Sequence, residues 1–394
     1  MNEFIHYGRH HIEQDDIEAV CEVLRGDWLT CGALVDEFEK YICKITHAKH
    51  AIACSNGTTA LHMALLALGI KEGDLVIVPS ISFLASANAV RYVGADVVFA
   101  DVDPDSGLMT PDTFREAIAR VKNANKIKAV INVHLAGQCE DLAQIAKIAR
   151  EYNMYIIEDA AHAIGTNYVD GSKEIHPIGS NAYSDLTTFS FHPVKTVATG
   201  EGGAVTTNDD KLAEKLRLLR SHCMVRDASQ WTQKSQDSEI KPWYYEMQEL
   251  GYNYRISDIN CALGLSQLKK LDIFKDRRAE IVSVYDEAFQ NNPAIKPLKK
   301  ITSSVVAWHL YILLIDFKKL GKSRSEVMLS LKAKGIGTQV HYIPIYTQPY
   351  YKNLYGEMRL PGAEEYYSRC LSIPLYAGLE PYQVENTIMH IKNL

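Results

Sequence analysis

Several signals that place a protein in a specialised class are missing from this 394-residue sequence. It has no uninterrupted apolar run of about 18 residues, as a membrane-spanning helix requires, and its polar first dozen residues do not resemble a signal peptide. Positive charge is not in excess, because the net charge is −6, which disfavours nucleic acid and anionic membranes as partners. We therefore expect a cytoplasmic protein that binds neither.

The eight cysteines also lack a recognisable spacing. None forms a C-x-x-C pair, and none has a second cysteine at the spacing of a zinc site. Scattered cysteines of this kind are usually small core residues in a reducing compartment. We predict neither disulfide bonds nor a metal centre.

What the sequence does contain is a regular alternation of apolar runs with segments of helical periodicity. The predicted strands are His50–Cys54, Leu75–Pro79, Val97–Val102, Ala129–His134, Met154–Glu158 and Leu186–Phe189. A helix at Glu140–Tyr152 separates the fourth strand from the fifth. This order predicts an α/β protein with a mostly parallel sheet, helices on both faces, and a ligand site beyond the carboxyl ends of the strands.

The pattern changes after about residue 255. Long amphipathic helices and a few strands are predicted there, at Ser257–Leu271, Arg277–Gln290, Val305–Asp316 and Gly337–Tyr342. We therefore predict a large domain over residues 1–255 and a smaller α+β domain over residues 256–394. The polar segment Ala228–Pro242 is predicted to be a surface loop.

The first candidate site residues follow the strand His50–Cys54. In the segment Ser55–Thr59, Gly57 lets the backbone approach a ligand closely and Thr58 adds a hydroxyl. The helix behind them offers free N–H groups and the positive end of its dipole. The segment is a competent phosphate site, although an Asn-Gly pair also serves simply to turn a chain.

A carboxylate and an amine follow two later strands. Asp159, in the boundary position after a strand, suits a carboxylate that keeps a pyridinium nitrogen protonated, or one that only caps a turn. His162 is a hydrogen-bonding candidate for a phenolic oxygen, or a structural histidine. Lys195 lies between aromatic residues and the glycine run Gly200–Gly203. A cleft there would lower its pKa, so that the neutral amine attacks an aldehyde.

Together these segments resemble a known family. N-G-T-x-A-L, E-D-A-A-H-A, S-F-H-x-x-K with T-G-E-G-G, and G-x-N-Y-R are similar, in this order, to the pyridoxal 5′-phosphate (PLP)-dependent sugar aminotransferases of the DegT/StrS family. The resemblance extends from Tyr7 to Pro374. It implies the aspartate aminotransferase fold (fold type I), with a seven-stranded sheet in a large PLP-binding domain, and a homodimer with shared active sites.

The resemblance also gives each candidate a role toward PLP. It makes Lys195 the lysine that bonds the cofactor and Asp159 the partner of the pyridine nitrogen, and these two are the catalytic residues. The other cofactor-binding positions are Gly57, Thr58, Phe83, His162, Ser190 and Asn253. Phe83 would stack on the ring, and Asn253 would reach the phosphate from the neighbouring subunit.

Within the family, the chain is most similar to the UDP-sugar transaminases of pseudaminic acid synthesis. This similarity implies transfer of an amino group from glutamate to the C4 keto group of a UDP-linked 4-keto-6-deoxy-N-acetylhexosamine. The implied substrate-binding positions are Tyr7, Asp27, Trp28, Leu29, Thr30, Gly57, Ser190, Asn253, Gln339, Val340, His341 and Tyr342.

Three other functions stay open. The substrate is possibly a different nucleotide-linked keto-sugar of the same family. An NAD-dependent sugar oxidoreductase would share an α/β sheet, but Val205 breaks the G-x-G-x-x-G fingerprint. A non-enzymatic protein that kept the fold would not need the pair Lys195 and Asp159.

Overall fold

A computed structural model describes residues 4–233 and 242–394. In the segment Ala228–Pro242, for which we predict a surface loop, the chain forms a 3-10 turn at Ala228–Gln230, and residues 234–241 lie outside the described part. None of the helices in the described part is both long enough and apolar enough to cross a membrane.

The helices of the described residues are α1 (Gln14–Arg25), α2 (Ala33–Thr46), α3 (Gly57–Ala67), α4 (Leu84–Tyr92), α5 (Pro111–Ala119), α6 (Leu142–Glu151), α7 (Asp210–Arg220), α8 (Asp258–Lys269), α9 (Leu271–Phe289), α10 (Arg324–Ala333), α11 (Pro349–Tyr355), α12 (Pro361–Arg369) and α13 (Pro381–Lys392). The strands are β1 (His50–Cys54), β2 (Leu75–Pro79), β3 (Asp96–Ala100), β4 (Ile127–Val133), β5 (Tyr155–Asp159), β6 (Asn167–Val169), β7 (Ile175–Pro177), β8 (Leu186–Ser190), β9 (Gly203–Thr207), β10 (Met224–Val225), β11 (Glu246–Met247), β12 (Ile295–Pro297), β13 (Ser304–Val305), β14 (Tyr311–Ile315) and β15 (Cys370–Ile373).

A seven-stranded sheet has the order β1-β9-β8-β5-β4-β2-β3. Neighbouring strands from β8 to β3 pair in parallel, whereas β9 pairs antiparallel with both β8 and β1. The predictions of an α/β protein and of a mostly parallel seven-stranded sheet are therefore confirmed. The strands β1 and β2 have the predicted bounds, and β3, β4, β5 and β8 lie within two residues of theirs.

Both faces of this sheet are buried, because successive side chains of a strand point to opposite faces. In β2, Val76 and Val78 pack in the core that includes α3 and α4, while Ile77 packs in the core that includes α5 and α6. In β5, Ile157 faces the first of these cores and Ile156 the second. This alternation decides which side chains at the end of β5 face the site.

A second, antiparallel sheet of order β12-β14-β15 lies in the C-terminal part of the chain. Its core includes residues of α9, α10 and α13, and Ile5 from the beginning of the chain. The core of the large sheet continues past residue 255, because Ile256 and Cys261 pack with Phe38 and Phe191. The domain boundary at residue 255 stays a prediction.

Two strand predictions in this part were wrong. Val305–Asp316 is not one strand, because β13 pairs with β6 while β14 pairs with β12 and β15. Gly337–Tyr342 is not a strand, and only Gln339 forms a bridge, with Ser372. The segment bends away there, since the His341 carbonyl accepts a hydrogen bond from the hydroxyl of the buried Tyr366.

Candidate active site

The candidate residues converge at one edge of the large sheet. β5 ends at Asp159 and β8 ends at Ser190, so their carboxyl ends lie side by side. β1 runs in the same direction as β8, because β9 is antiparallel to both, and α3 begins just after it. The site therefore lies beyond the carboxyl ends of the strands, as predicted for a doubly wound sheet.

Lys195 lies in a turn that closes behind β8. Its N–H bonds the carbonyl of His192 at 2.8 Å, and the Thr199 N–H bonds that of Phe191 at 2.9 Å. Burial of the Lys195 amine lowers its pKa to about 8, and the nearby Asp159 carboxylate opposes this shift. The amine makes no hydrogen bond to any residue in the described part of the chain, so it is available to react.

The two adjacent carboxylates of β5 face opposite sides of the sheet, as the alternation of a strand requires. Asp159 accepts hydrogen bonds from Ser86 Oγ at 2.7 Å and from the Ala161 N–H at 3.2 Å. Glu158 points the other way and lies 2.7 Å from His134 Nε2. Of the two, Asp159 is the one beside Lys195.

His162 is held between a backbone amide and a tyrosine. Its Nδ1 accepts the Ala136 N–H at 3.3 Å, so Nε2 carries the proton and donates to the Tyr342 hydroxyl at 3.1 Å. Burial, together with the positive charge of Lys195, holds the pKa of His162 well below its usual range. The ring is therefore neutral. Phe83 lies over the same opening, with its ring centroid 6.2 Å from that of Tyr342 and 59% of its surface exposed.

The beginning of α3 forms a narrow cradle against Ser190. A Cβ atom on Gly57 would lie 2.8 Å from Ser190 Cβ, so only glycine allows this approach. The Asn56 side chain accepts the Thr59 N–H at 2.9 Å and caps the helix. The N–H groups of Gly57 and Thr58 have no acceptor within the helix. A phosphate suits these donors, the helix dipole and the Ser190 hydroxyl.

Four residues predicted to bind the nucleotide-sugar lie near Lys195. Tyr7 stacks at a tilt on His341, with ring centroids 5.5 Å apart, and the adjacent Gly8 lies against Val194. His341 Nδ1 is 2.7 Å from Ser372 Oγ, and burial lowers the pKa of His341 to about 3. Tyr342 follows it and bonds His162.

The other predicted substrate contacts are less closely associated with the site within one chain. Gln339 is exposed and Val340 is half-buried. Asp27, Trp28, Leu29 and Thr30 are exposed, and Leu29 and Thr30 contact the start of α8. Asn253 is exposed and pairs with Ser221. In the described part of the chain, none of these side chains hydrogen-bonds Lys195 or Asp159.

The sequence did not reveal three further residues of the site. Ser86 bonds Asp159, and Ser82 lies 2.6 Å from Ser86. The buried His309 ring packs 4.4 Å from His162, and burial holds its pKa well below the usual range as well. A signal for the serines was available, because two serines four residues apart share one face at the start of a helix. Nothing local marks His309.

A buried amine beside a buried carboxylate, with a phosphate cradle at the carboxyl edge of this sheet, defines the class of PLP-dependent aminotransferases. The chain belongs to the DegT/DnrJ/EryC1/StrS aminotransferase family, whose model matches residues 10–392. This family depends on PLP, and structural neighbours are known in PLP and PMP forms. The predicted family, enzyme class and cofactor are confirmed.

Individual relatives match over nearly the full chain. The chain is 39% identical over 396 residues to the spore coat polysaccharide biosynthesis protein SpsC of Bacillus subtilis, covering 100% of this chain and 97% of that protein. It is 41% identical over 372 residues to a UDP-4-amino-4,6-dideoxy-N-acetyl-beta-L-altrosamine transaminase of Campylobacter jejuni, covering 94% and 92%. The structure of Helicobacter pylori PseC, an aminotransferase involved in the biosynthesis of pseudoaminic acid, is similar with a TM-score of 0.87 and 30% identity, covering 99% of each chain.

Proposed function

We propose that this aminotransferase moves an amino group from glutamate to the C4 keto group of a UDP-linked 4-keto-6-deoxy-N-acetylhexosamine, in a pathway of the pseudaminic acid type. The observation that carries the proposal is the Lys195 amine, which has a pKa of about 8 and lies beside Asp159 at the carboxyl edge of the sheet. The names of the Campylobacter jejuni and Helicobacter pylori relatives support the choice of substrate.

In the proposed reaction, bound PLP supplies an electron sink for the charge that develops on the reacting carbon. Lys195 Nζ moves a proton between the carbon of the donor or sugar and the cofactor side. Its lowered pKa suits this task, because an amine that titrates near neutral pH both accepts and returns a proton. Asp159 is placed to pair with the ring nitrogen and to keep it protonated.

The remaining cofactor contacts divide between the phosphate and the ring. We assign the phosphate to the start of α3, where Gly57 and Thr58 supply N–H groups, and to the Ser190 hydroxyl. Phe83 would cover one face of the ring. His162 is a neutral donor on the Tyr342 side, which suits a phenolic oxygen.

The sugar-nucleotide would enter over the tyrosine side of the site. Tyr7, His341 and Tyr342 line that side with uncharged groups, because burial raises the pKa of both tyrosines and lowers that of the histidine. The exposed Gln339 and the half-buried Val340 continue this surface. Neutral hydrogen-bonding groups suit sugar hydroxyls, and they do not repel a nucleotide diphosphate.

We further propose that the active enzyme is a homodimer in the cytoplasm. Asn253 and the segment 27–30 are exposed, so they are free to reach the site of a second subunit. A row of large apolar side chains just before Asn253 is also exposed, namely Trp243, Tyr245, Met247 and Leu250. Exposed apolar patches of this kind are typical of protein interfaces.

The proposal is tested by mass spectrometry of purified enzyme with PLP, glutamate and a panel of nucleotide-linked keto-sugars. We expect a UDP-4-keto-6-deoxy-N-acetylhexosamine to be converted to the amino sugar, with formation of 2-oxoglutarate. Keto-sugars that differ in nucleotide, or in the position of the keto group, are the controls. Because Bacillus subtilis SpsC is named for spore coat polysaccharide biosynthesis, sugars outside the UDP series belong in the panel. Preferential amination of one of these would replace the proposed substrate.

A further inference from the structure

We infer that Ser86 is a positioning residue that holds the Asp159 carboxylate charged and correctly oriented, with Ser82 as its support. Ser86 Oγ lies 2.7 Å from Asp159 Oδ2, and Ser82 Oγ lies 2.6 Å from Ser86 Oγ. All three side chains are buried, with Ser86 completely enclosed and Asp159 only 6% exposed. The inference rests on the proposed pairing of Asp159 with the ring nitrogen of PLP.

The direction of the hydrogen bonds follows from the chemistry of the groups. An ionised carboxylate only accepts, so the Ser86 hydroxyl hydrogen points to Asp159. The lone pairs of Ser86 Oγ are then free for the hydroxyl hydrogen of Ser82. The two serines thus form a chain of donors that ends on Asp159 Oδ2.

This chain offsets the effect of burial on Asp159. Burial alone favours the neutral form of a carboxyl group, whereas hydrogen bonds donated to the carboxylate favour the charged form. Oδ2 receives the Ser86 hydroxyl and Oδ1 receives the Ala161 N–H at 3.2 Å. Each oxygen keeps a second lone-pair site, so the carboxylate retains capacity for a cationic partner.

The same short segment also carries Phe83. Phe83 is the residue just before α4, and the Ser86 N–H bonds its carbonyl at 3.3 Å. Ser82 and Ser86 therefore flank the aromatic residue that would cover the ring. One turn of chain fixes the carboxylate and the aromatic contact together, so a change at Ser86 acts on the cofactor through Asp159.

The test compares Ser86→Ala with Ser86→Thr, which keeps a hydroxyl, and with Ser80→Ala. Ser80 is a matched control, because it is buried in the same segment and its Oγ has no hydrogen-bond partner. Circular dichroism establishes that each variant is folded. Dissociation constants for PLP are measured on the apoproteins, and the visible absorption of lysine-bound PLP is titrated with pH.

We expect Ser86→Ala to weaken PLP binding and to lower kcat, each by about tenfold, with a smaller change in KM. The absorption titration should move to higher pH, because a ring nitrogen that holds its proton less firmly repels the proton on the lysine-derived nitrogen less. Ser86→Thr should restore the titration, Ser82→Ala should shift it in the same direction by less, and Ser80→Ala should leave it unchanged.

An unchanged titration and PLP affinity in folded Ser86→Ala would overturn the inference. If that variant does not fold, Ser82→Ala decides, and a wild-type titration there has the same meaning. Failure of the proposed function has a different signature, because the wild-type protein would then show no absorption of lysine-bound PLP at all.

Discussion

Burial and charge act in opposite directions on the Lys195 amine. Burial lowers its pKa from 10.5 to about 8, and Asp159 limits the shift. A lysine whose pKa is lower in the folded state than in the unfolded state destabilises the fold fully below the folded value. This cost disappears as the pH rises from about 8 to the unfolded value. The site therefore keeps a reactive amine at the expense of stability.

Lys195→Met should consequently stabilise the apoprotein at pH 7 while abolishing transamination. We expect a gain of about 2 kcal/mol in the free energy of unfolding, because the full shift is partly offset when Asp159 loses its counter-charge. Urea unfolding at pH 7 and pH 10 measures it, and the gain should be smaller at pH 10. The exposed Lys334 provides the control, Lys334→Met. A destabilised Lys195→Met apoprotein, or one that still transaminates, would contradict this account.

The two carboxylates of β5 should separate catalysis from stability. Asp159→Asn removes the charge that raises the pKa of Lys195, so that pKa should fall below about 8 and turnover should drop on the order of 100-fold. Glu158→Gln is the matched variant, since it faces His134 instead. It should cost about 1 kcal/mol of stability and leave turnover within a few-fold of wild type. Equal loss of turnover in both variants would argue against the assignment of Asp159.

At the scale of elements, the contact between the start of α3 and the end of β8 depends on a missing side chain. Gly57→Ala would place a Cβ 2.8 Å from Ser190 Cβ and push the helix outward. We expect a loss of about 1–3 kcal/mol in stability and at least about tenfold in PLP affinity. Unfolding curves and PLP titrations measure these effects.

The double variant Gly57→Ala/Ser190→Gly tests the cause of that loss. Removing the Ser190 Cβ relieves the clash, so much of the stability should return, while PLP affinity stays low because the hydroxyl is gone. Gly171→Ala is the neutral control, since a Cβ there meets nothing within 4 Å. Strict additivity of the two substitutions would refute the steric explanation.

The helices α1 and α8 are joined by an ion cluster around one lysine. Lys270 Nζ lies 3.1 Å from Glu13, 2.8 Å from Asp15 and 2.7 Å from the completely buried Asp16. Lys270→Met would leave the Asp16 carboxylate buried without a cation, at a cost on the order of 3 kcal/mol. Lys275→Met, which breaks only an exposed pair with Asp272, should cost far less. Thermal unfolding distinguishes them, and similar midpoints would contradict the expected role of burial.

The elements also show which parts of the structure a sequence reveals. β1 and β2 matched their predicted bounds because each is a continuous apolar run between breakers. Gly337–Tyr342 was wrong because its partners are distant in sequence, with Gln339 bonding Ser372. The hydrogen bond from Ser86 to Asp159 joins residues 73 positions apart, so no local pattern contains it. Lys195 was accessible because aromatic and glycine neighbours surround it in the sequence itself.

At the scale of the whole molecule, the proposed shared site makes a specific prediction for mixed dimers. Lys195→Ala and Asn253→Ala should each be nearly inactive alone. If Asn253 serves the neighbouring subunit, a mixed dimer contains one site with both residues intact. Equal mixing after reversible dissociation should restore about a quarter of wild-type activity. Size-exclusion chromatography with light scattering establishes the dimer, and a mixture that stays inactive would place Asn253 in its own subunit's site or outside the site.

The alternation along β5 has a consequence for how this protein can change during evolution. A single inserted or deleted residue before Glu158 would rotate every following side chain of that strand to the opposite face. The carboxylate now bonded to Ser86 would then meet His134, and its neighbour would take the position beside Lys195. We therefore expect homologous chains to vary freely in the amino acids of this strand's buried faces but to preserve its length.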